Sequence, residues 1–264
     1  MPHSLAMTGG GLLFIFLMTC LGASAVLFFR QATSGFWQRV FLGFAAGIMI
    51  AASVWSLLLP AMEEAGEQGW NAIWIPAAGG FVMGVLFLLA LDNLIPHLHQ
   101  PSGLREGPSA AFRRPTLLVF AITLHNIPEG MAVGLAFALA ARSGNSDLFA
   151  SAVALAIGIG LQNIPEGAAV ALPLRQEGMS AAKAFWIGCL SGAVEPVFGA
   201  LAVLLVAWMI PVMPWLLAFT AGAMLYVVVE ELIPEMHAEK HSHAGTLSAM
   251  AGFLLMMVLD VALG

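Results

Sequence analysis

Eight stretches of this chain, at roughly residues 9 to 29, 40 to 60, 72 to 95, 115 to 141, 148 to 174, 181 to 209, 214 to 236 and 244 to 263, are apolar enough and long enough to cross a bilayer as helices. A hydrocarbon core of about 30 Å takes about 20 such residues. In that medium each backbone amide and carbonyl has to be satisfied inside its own segment, so the expected fold is all-α, an integral membrane bundle of eight transmembrane helices. Residues 1–264 then form a single transmembrane domain, and the Pro-, Gly- and Ser-rich run 97–114 reads as a flexible linker. Composition agrees, since 60% apolar and 9% charged residues leave too little polar surface to coat a soluble globule. The net charge of -6 comes with no basic patch, which argues against a nucleic-acid partner and leaves the lipid bilayer as the surroundings of most of the chain.

Lysine and arginine set the orientation. Arg30 and Arg39 follow the first span, Arg105, Arg113 and Arg114 the third, Arg175 and Lys183 the fifth and Lys240 the seventh, while Arg142 stands alone on the other side. By the positive-inside rule the crowded side is cytoplasmic, and both termini face outside. The first span is not read as a secretory signal despite the small residues Gly22 to Ala25, because no Lys or Arg precedes it. Cys20 and Cys189 fall within spans and are read as small packing residues.

Polar groups interrupt this apolar pattern in one conspicuous way. "LHNIPEG" at Leu124 to Gly130 returns as "LQNIPEG" at Leu161 to Gly167, and the next span carries Glu195 in "GAVEPVFGA". Counting inward at 1.5 Å per residue, all three reach the membrane midplane. His125 and Glu129 are four residues apart, as are Gln162 and Glu166, so each pair shares a helix face. Pro128, Pro165 and Pro196 cannot donate to the carbonyls of Leu124, Leu161 and Gly192, which frees backbone oxygens nearby. Gly130 and Gly167 would let neighbouring helices approach.

Hydrogen-bonded contacts between helices would explain one such amide. Three acids are harder to explain, since each charged group near the bilayer centre costs about 2.5 to 3.5 kcal/mol on insertion scales. Every Lys and Arg lies in a loop or at a membrane edge, so protons or metal cations are left to compensate them. Carboxylates with an imidazole suit Zn, Fe, Mn or Cd. Spans four and five run in opposite directions, and their shared motif resembles the inverted repeats between which transporters bind substrate; no match is read outside these two helices.

Other acids mark a path. Glu63, Glu64 and Glu67 read as a solvated external loop; Asp92, Glu230 and Glu231 interrupt apolar runs near the cytoplasmic ends of spans three and seven and suggest an exit route for metal, which Glu235 and His237 would extend. For His237, His241 and His243 together, weak metal binding and a merely solvated loop both stay open.

"HNIPEG", then "QNIPEG", then "EP" resembles the ZIP (Zrt/Irt-like) divalent metal transporters, especially their bacterial GufA- and ZupT-like branch. The eight spans, outside termini and long third loop match as well, so the resemblance covers essentially the whole chain. It implies uptake of divalent metal into the cytoplasm across a bacterial inner membrane, by elevator-like movement of a transport bundle against a scaffold, commonly in a homodimer. It implies no cofactor other than the transported ion, zinc first, with Fe, Mn or Cd as alternatives. Carried over position by position, the first metal of a binuclear centre would use Met49, His125, Glu129, Gln162 and Glu166, and the second Asn126, Glu129, Asn163, Glu166 and Glu195. At Asn163 some relatives have Asp. A rival of another class, an intramembrane metal-dependent hydrolase, has ligands to offer but no HExxH motif.

Overall fold

The computed structural model describes residues 2–28, 35–94, 97–98, 105–106, 114–176, 178–208, 210–237 and 243–263. In chain order it contains α1 (Pro2–Ala23), α2 (Ala25–Phe28), α3 (Gly35–Ala52), α4 (Leu59–Glu67), α5 (Trp74–Leu94), α6 (Arg114–Ser143), α7 (Ser146–Gln176), α8 (Ala181–Gly192), α9 (Val194–Trp208), α10 (Met213–Val227), α11 (Ile233–Met236) and α12 (Ala244–Leu263). Two wider π-helical turns, Ser53–Leu58 and Val228–Leu232, join α3 to α4 and α10 to α11, and a 3₁₀ turn at Ile210–Val212 leads into α10. Seven of the described helical stretches are long and apolar enough to cross a bilayer. The fourth expected span is the 30-residue α6. The chain is a multi-pass membrane protein. Leu13, Leu17 and Leu21 form an exposed apolar ridge at i, i+4 spacing on α1, a surface suited to lipid rather than water.

The 97–114 segment is not structureless throughout: His97–Leu98 (β1) pairs antiparallel with Arg105–Glu106 (β2). Span six is also not one helix. It breaks at Ala193, three residues before Pro196, and this places Glu195 in the first turn of α9.

Both π turns have a local cause. Pro60 and Pro234 have no amide hydrogen to give to the carbonyl four residues back, and each ring would crowd that carbonyl. The helix widens instead, with the Leu59 amide reaching Val54 O and the Ile233 amide reaching Val228 O, five residues back in each case.

The helices form two groups. One is α1, α6, α7 and α8–α9, where α1 packs on α7 and α6 on α9; in the other, α3 packs on α12 and α5 on α10. Each large pairing in one group has a counterpart of the same kind, which extends the inverted relation beyond α6 and α7. Its trace in sequence is the match of "AGIM" at Ala46 to Met49 and "LLPAM" at Leu58 to Met62 with "AGAM" at Ala221 to Met224 and "LIPEM" at Leu232 to Met236. One residue more separates the two halves of the match in span two than in span seven, and the π turns differ in length by that residue.

The connection between α6 and α7 is only Gly144 and Asn145. Gly144 has φ +65° and closes α6 with its amide on Ala140 O; the Asn145 side chain then accepts from the Asp147 amide and caps α7. The two motif-bearing helices are thus an antiparallel hairpin.

Candidate metal centre

Close packing brings the motifs together. A Cβ on Gly130 would collide with the backbone of Glu195 on α9, and one on Gly167 with the backbone at Thr19 on α1. The glycines therefore act as expected from the sequence, letting α6 meet α9 and α7 meet α1 at the depth of the acids.

The side chains between these helices are tied in pairs. Gln162 Nε2 donates to Glu129 Oε1 at 2.5 Å, which links α7 to α6. Asn163 Nδ2 donates to Glu195 Oε1 at 3.0 Å and to Ile15 O at 3.1 Å, linking α7 to α9 and α1. Thr19 Oγ1 lies 3.2 Å from the same Glu195 oxygen. Asn126 Nδ2 donates to Ser191 O at 2.9 Å. Asn126, Glu129, Gln162, Asn163 and Glu195 are completely buried.

These bonds use one polar atom of each residue and leave another. Asn126 Oδ1, Glu129 Oε2, Gln162 Oε1, Asn163 Oδ1, Glu166 Oε2 and Glu195 Oε2 are all enclosed and have no hydrogen-bond partner. Every one is an oxygen, an acceptor or an anion, and leaving such a group unmet typically costs about 1 to 3 kcal/mol, more when it is charged. The ligand these groups call for is a cation. Among the described residues no three His, Cys, Asp or Glu side chains gather tightly enough to form a metal cage by themselves. The amides explain this, for two of the three carboxylates are held by an amide rather than by each other.

The remaining expected ligands lie less centrally. His125 is partly exposed, with Nε2 3.9 Å from Glu231 Oε1, so the first motif already meets the first acid of the expected exit route. Met49 is fully buried in the apolar core, one turn before the π segment at Ser53. Glu230 is exposed, and Glu235 is partly buried on α11. His237 is exposed and is tied to its own helix turn and to α12, through Ile233 O at 3.0 Å and Thr246 Oγ1 at 3.2 Å. Asp92 lies in the last turn of α5, its side chain outside the described residues, and His241 lies outside them altogether.

Two groups correct the sequence reading. Glu64 is not in a solvated loop: α4 carries it inward to 2% exposure, where it pairs with Arg142 of α6 and accepts from Gln68 Nε2 at 2.7 Å. Burial of that carboxylate is tolerated because Arg142 reaches it. The part played by α1, through Ile15 O and Thr19, lies outside the motifs that stand out in the sequence; Thr19, a polar residue in the middle of an apolar run, is its available signal. Cys20 and Cys189 pack in one apolar cluster, as read from the sequence.

Comparison with known proteins points the same way. The model of the ZIP Zinc transporter family matches residues 102–260. The chain is 37% identical to "Zinc transporter ZIP11" of Homo sapiens over 96% of each sequence. It is 39% identical to "Zinc transporter GufA" of Myxococcus xanthus over 84% of this chain and 86% of that one. With "Zinc transporter ZIPB" of Bordetella bronchiseptica the identity is 42% over 94% of this chain and 79% of the relative. Motif, membrane fold and likeness along nearly the whole chain place this protein in the ZIP family of zinc transporters.

Proposed function

We propose that this protein carries zinc into the cytoplasm through the centre between α6, α7 and α9. The observation that carries the reading is the set of six enclosed, unpartnered oxygens contributed by the two motifs and Glu195. His125 adds nitrogen at the edge of the set, which favours zinc, and the same donors suit Fe, Mn and Cd. Met49 is the further ligand the resemblance implies. His125 then hands the ion to Glu231, from which Glu230, Asp92, Glu235 and His237 lead to the cytoplasm.

The chain crosses eight times, with α6 as the fourth crossing, both termini outside and the bacterial cytoplasmic membrane as its setting. The two-residue turn supports this, since α6 leaves the face at which α7 begins and runs antiparallel to it over about 45 Å at 1.5 Å per residue. The group α1, α6, α7 and α8–α9 carries the site and moves against the other group. Relatives named as transporters leave the hydrolase reading without support.

The test is uptake of Zn2+ into proteoliposomes holding the purified protein, with the other metals as competitors. Flux above empty vesicles that competes with Cd2+ is the expected result; metal binding without any flux would return the site to the enzyme or structural reading.

A further inference from the structure

The centre has an anchor on α1, a helix that carries none of the motifs. Thr19 is 1% exposed and stands where α1 meets α7, α8 and α9. A Cβ on Gly167 of α7 would collide with Thr19 O, and one on Gly192 of α8 would lie 2.8 Å from Thr19 Cγ2. Both helices thus give up a side chain so that α1 can come close at this one residue. The approach sets the Thr19 hydroxyl 3.2 Å from Glu195 Oε1 on α9 and 3.3 Å from Ile15 O, one turn back on its own helix. Asn163 Nδ2 of α7 reaches the same two oxygens, at 3.0 and 3.1 Å.

Donors and acceptors follow from the atoms. Asn163 Nδ2 has two hydrogens for two oxygens, which fixes the amide and leaves Oδ1 as its open atom. The Thr19 hydroxyl has one proton, and of its two neighbours the carboxylate is both the nearer and the stronger acceptor. Glu195 Oε1 therefore receives two donors, one from α7 and one from α1. With Asn163 alone the carboxylate could turn about a single bond; with Thr19 as well its plane is set. What remains is Glu195 Oε2, enclosed and unpartnered like the open oxygens of the two motifs.

We propose that Thr19 is a positioning residue for the metal centre: its hydroxyl, together with the Asn163 amide, holds one oxygen of Glu195 so that the other is presented to the ion. This rests on the reading of the centre as a metal site. It extends the centre to α1, which supplies no ligand and acts through Glu195.

The experiment is a zinc titration by calorimetry of the full chain in detergent, on wild type, Thr19→Val, Thr19→Ser, Glu195→Ala and the double variant of Thr19→Val with Glu195→Ala. Val keeps the size of the side chain and loses the donor; Ser keeps the donor and loses the methyl. Loss of a hydrogen bond to a charged group should weaken zinc binding about tenfold in Thr19→Val, and Thr19→Ser should stay within about twofold of wild type. Added to Glu195→Ala, Thr19→Val should change nothing further, because the group through which it acts is gone; a threonine that only packs would cost the same in both backgrounds. Removing the donor also returns charge to the carboxylate, so zinc binding by Thr19→Val that is equal to wild type or tighter would overturn the proposal and leave the metal-site reading intact. Thr19→Ser as weak as Thr19→Val, or an undiminished effect in the Glu195→Ala background, would overturn it too. The comparison of Val with Ser decides the matter where Glu195→Ala binds too weakly to titrate, and Thr19→Ala takes the place of Thr19→Val where that variant fails to fold. Wild-type protein that binds no zinc would overturn the metal-site reading itself, and this proposal with it.

Discussion

Glu129 is held at one carboxylate oxygen and open at the other. Gln162 fixes Oε1, which sets the carboxylate plane, and Oε2 stays open. On the proposed reading, removing the carboxylate of Glu129 or Glu166 takes a ligand and a charge from the centre. Glu129→Ala and Glu166→Ala are expected to lower zinc uptake in proteoliposomes to the level of empty vesicles while the protein still inserts and elutes as folded material. Zinc and protons compete for the same oxygens, so binding should weaken as pH falls from about 7.5 to 5.5, with proton release on zinc addition measurable in weak buffer. At Gly130 the added methyl of Gly130→Ala has no space against Glu195. Overpacking there should cost about 1 to 3 kcal/mol, read as a loss of thermal stability in detergent. His125, Asn126, Glu129, Gln162, Asn163, Glu166 and Glu195 were legible as candidate site residues because a polar residue in an apolar span stands out. Which oxygen each would commit to a neighbour was not legible, since that depends on how α1 and α9 approach.

Among the elements, the π turns have the clearest bearing on function. Widening at Val228–Leu232 lets Pro234 remain in the helix and sets the register at which Glu231 faces His125. Pro234→Ala restores the missing donor and allows an ordinary α turn, which rotates everything before it by about one residue, or 100°. The expected outcome is a protein that binds zinc with near-normal affinity but transports it several-fold more slowly, checked by comparing equilibrium binding with flux. Pro60→Ala tests the corresponding turn at Ser53–Leu58, next to Met49. Span positions were readable from hydropathy because length and apolarity are local properties. The break at Ala193 and the two π turns were not, although Pro196, Pro60 and Pro234 mark each of them in the sequence.

Over the whole molecule, two polar contacts among the described residues join the helix groups along α6: His125 Nε2 lies 3.9 Å from Glu231 Oε1 and, seventeen residues further on, Arg142 pairs with Glu64. The proposed movement of one group against the other would have to break both. Glu64→Gln keeps the acceptor for Gln68 and removes the charge that holds Arg142. In a background with Cys20 and Cys189 replaced by Ala, it should raise by a few-fold the rate at which a membrane-impermeant thiol reagent labels an Ala136→Cys probe. An unchanged rate would remove the Glu64–Arg142 pair as a restraint on movement. The wider inverted relation lay in plain view as "AGIM…LLPAM" and "AGAM…LIPEM", but a one-residue offset inside the match hides it from a search at fixed spacing.

The two-residue turn at Gly144 and Asn145 also bears on how the centre is made in the cell. Contacts between residues near in sequence tend to form early. The Gln162–Glu129 bond spans 33 positions and lies wholly within the α6–α7 hairpin, whereas the Thr19–Glu195 contact spans 176 and needs α1 to wait for α9. During synthesis, then, the part of the candidate centre that holds Glu129 and Gln162 is assembled as soon as α7 enters the membrane. Glu195 and its contact with Thr19 are added only when α9 arrives, so the α6–α7 part of the candidate centre comes together before its third carboxylate is in place.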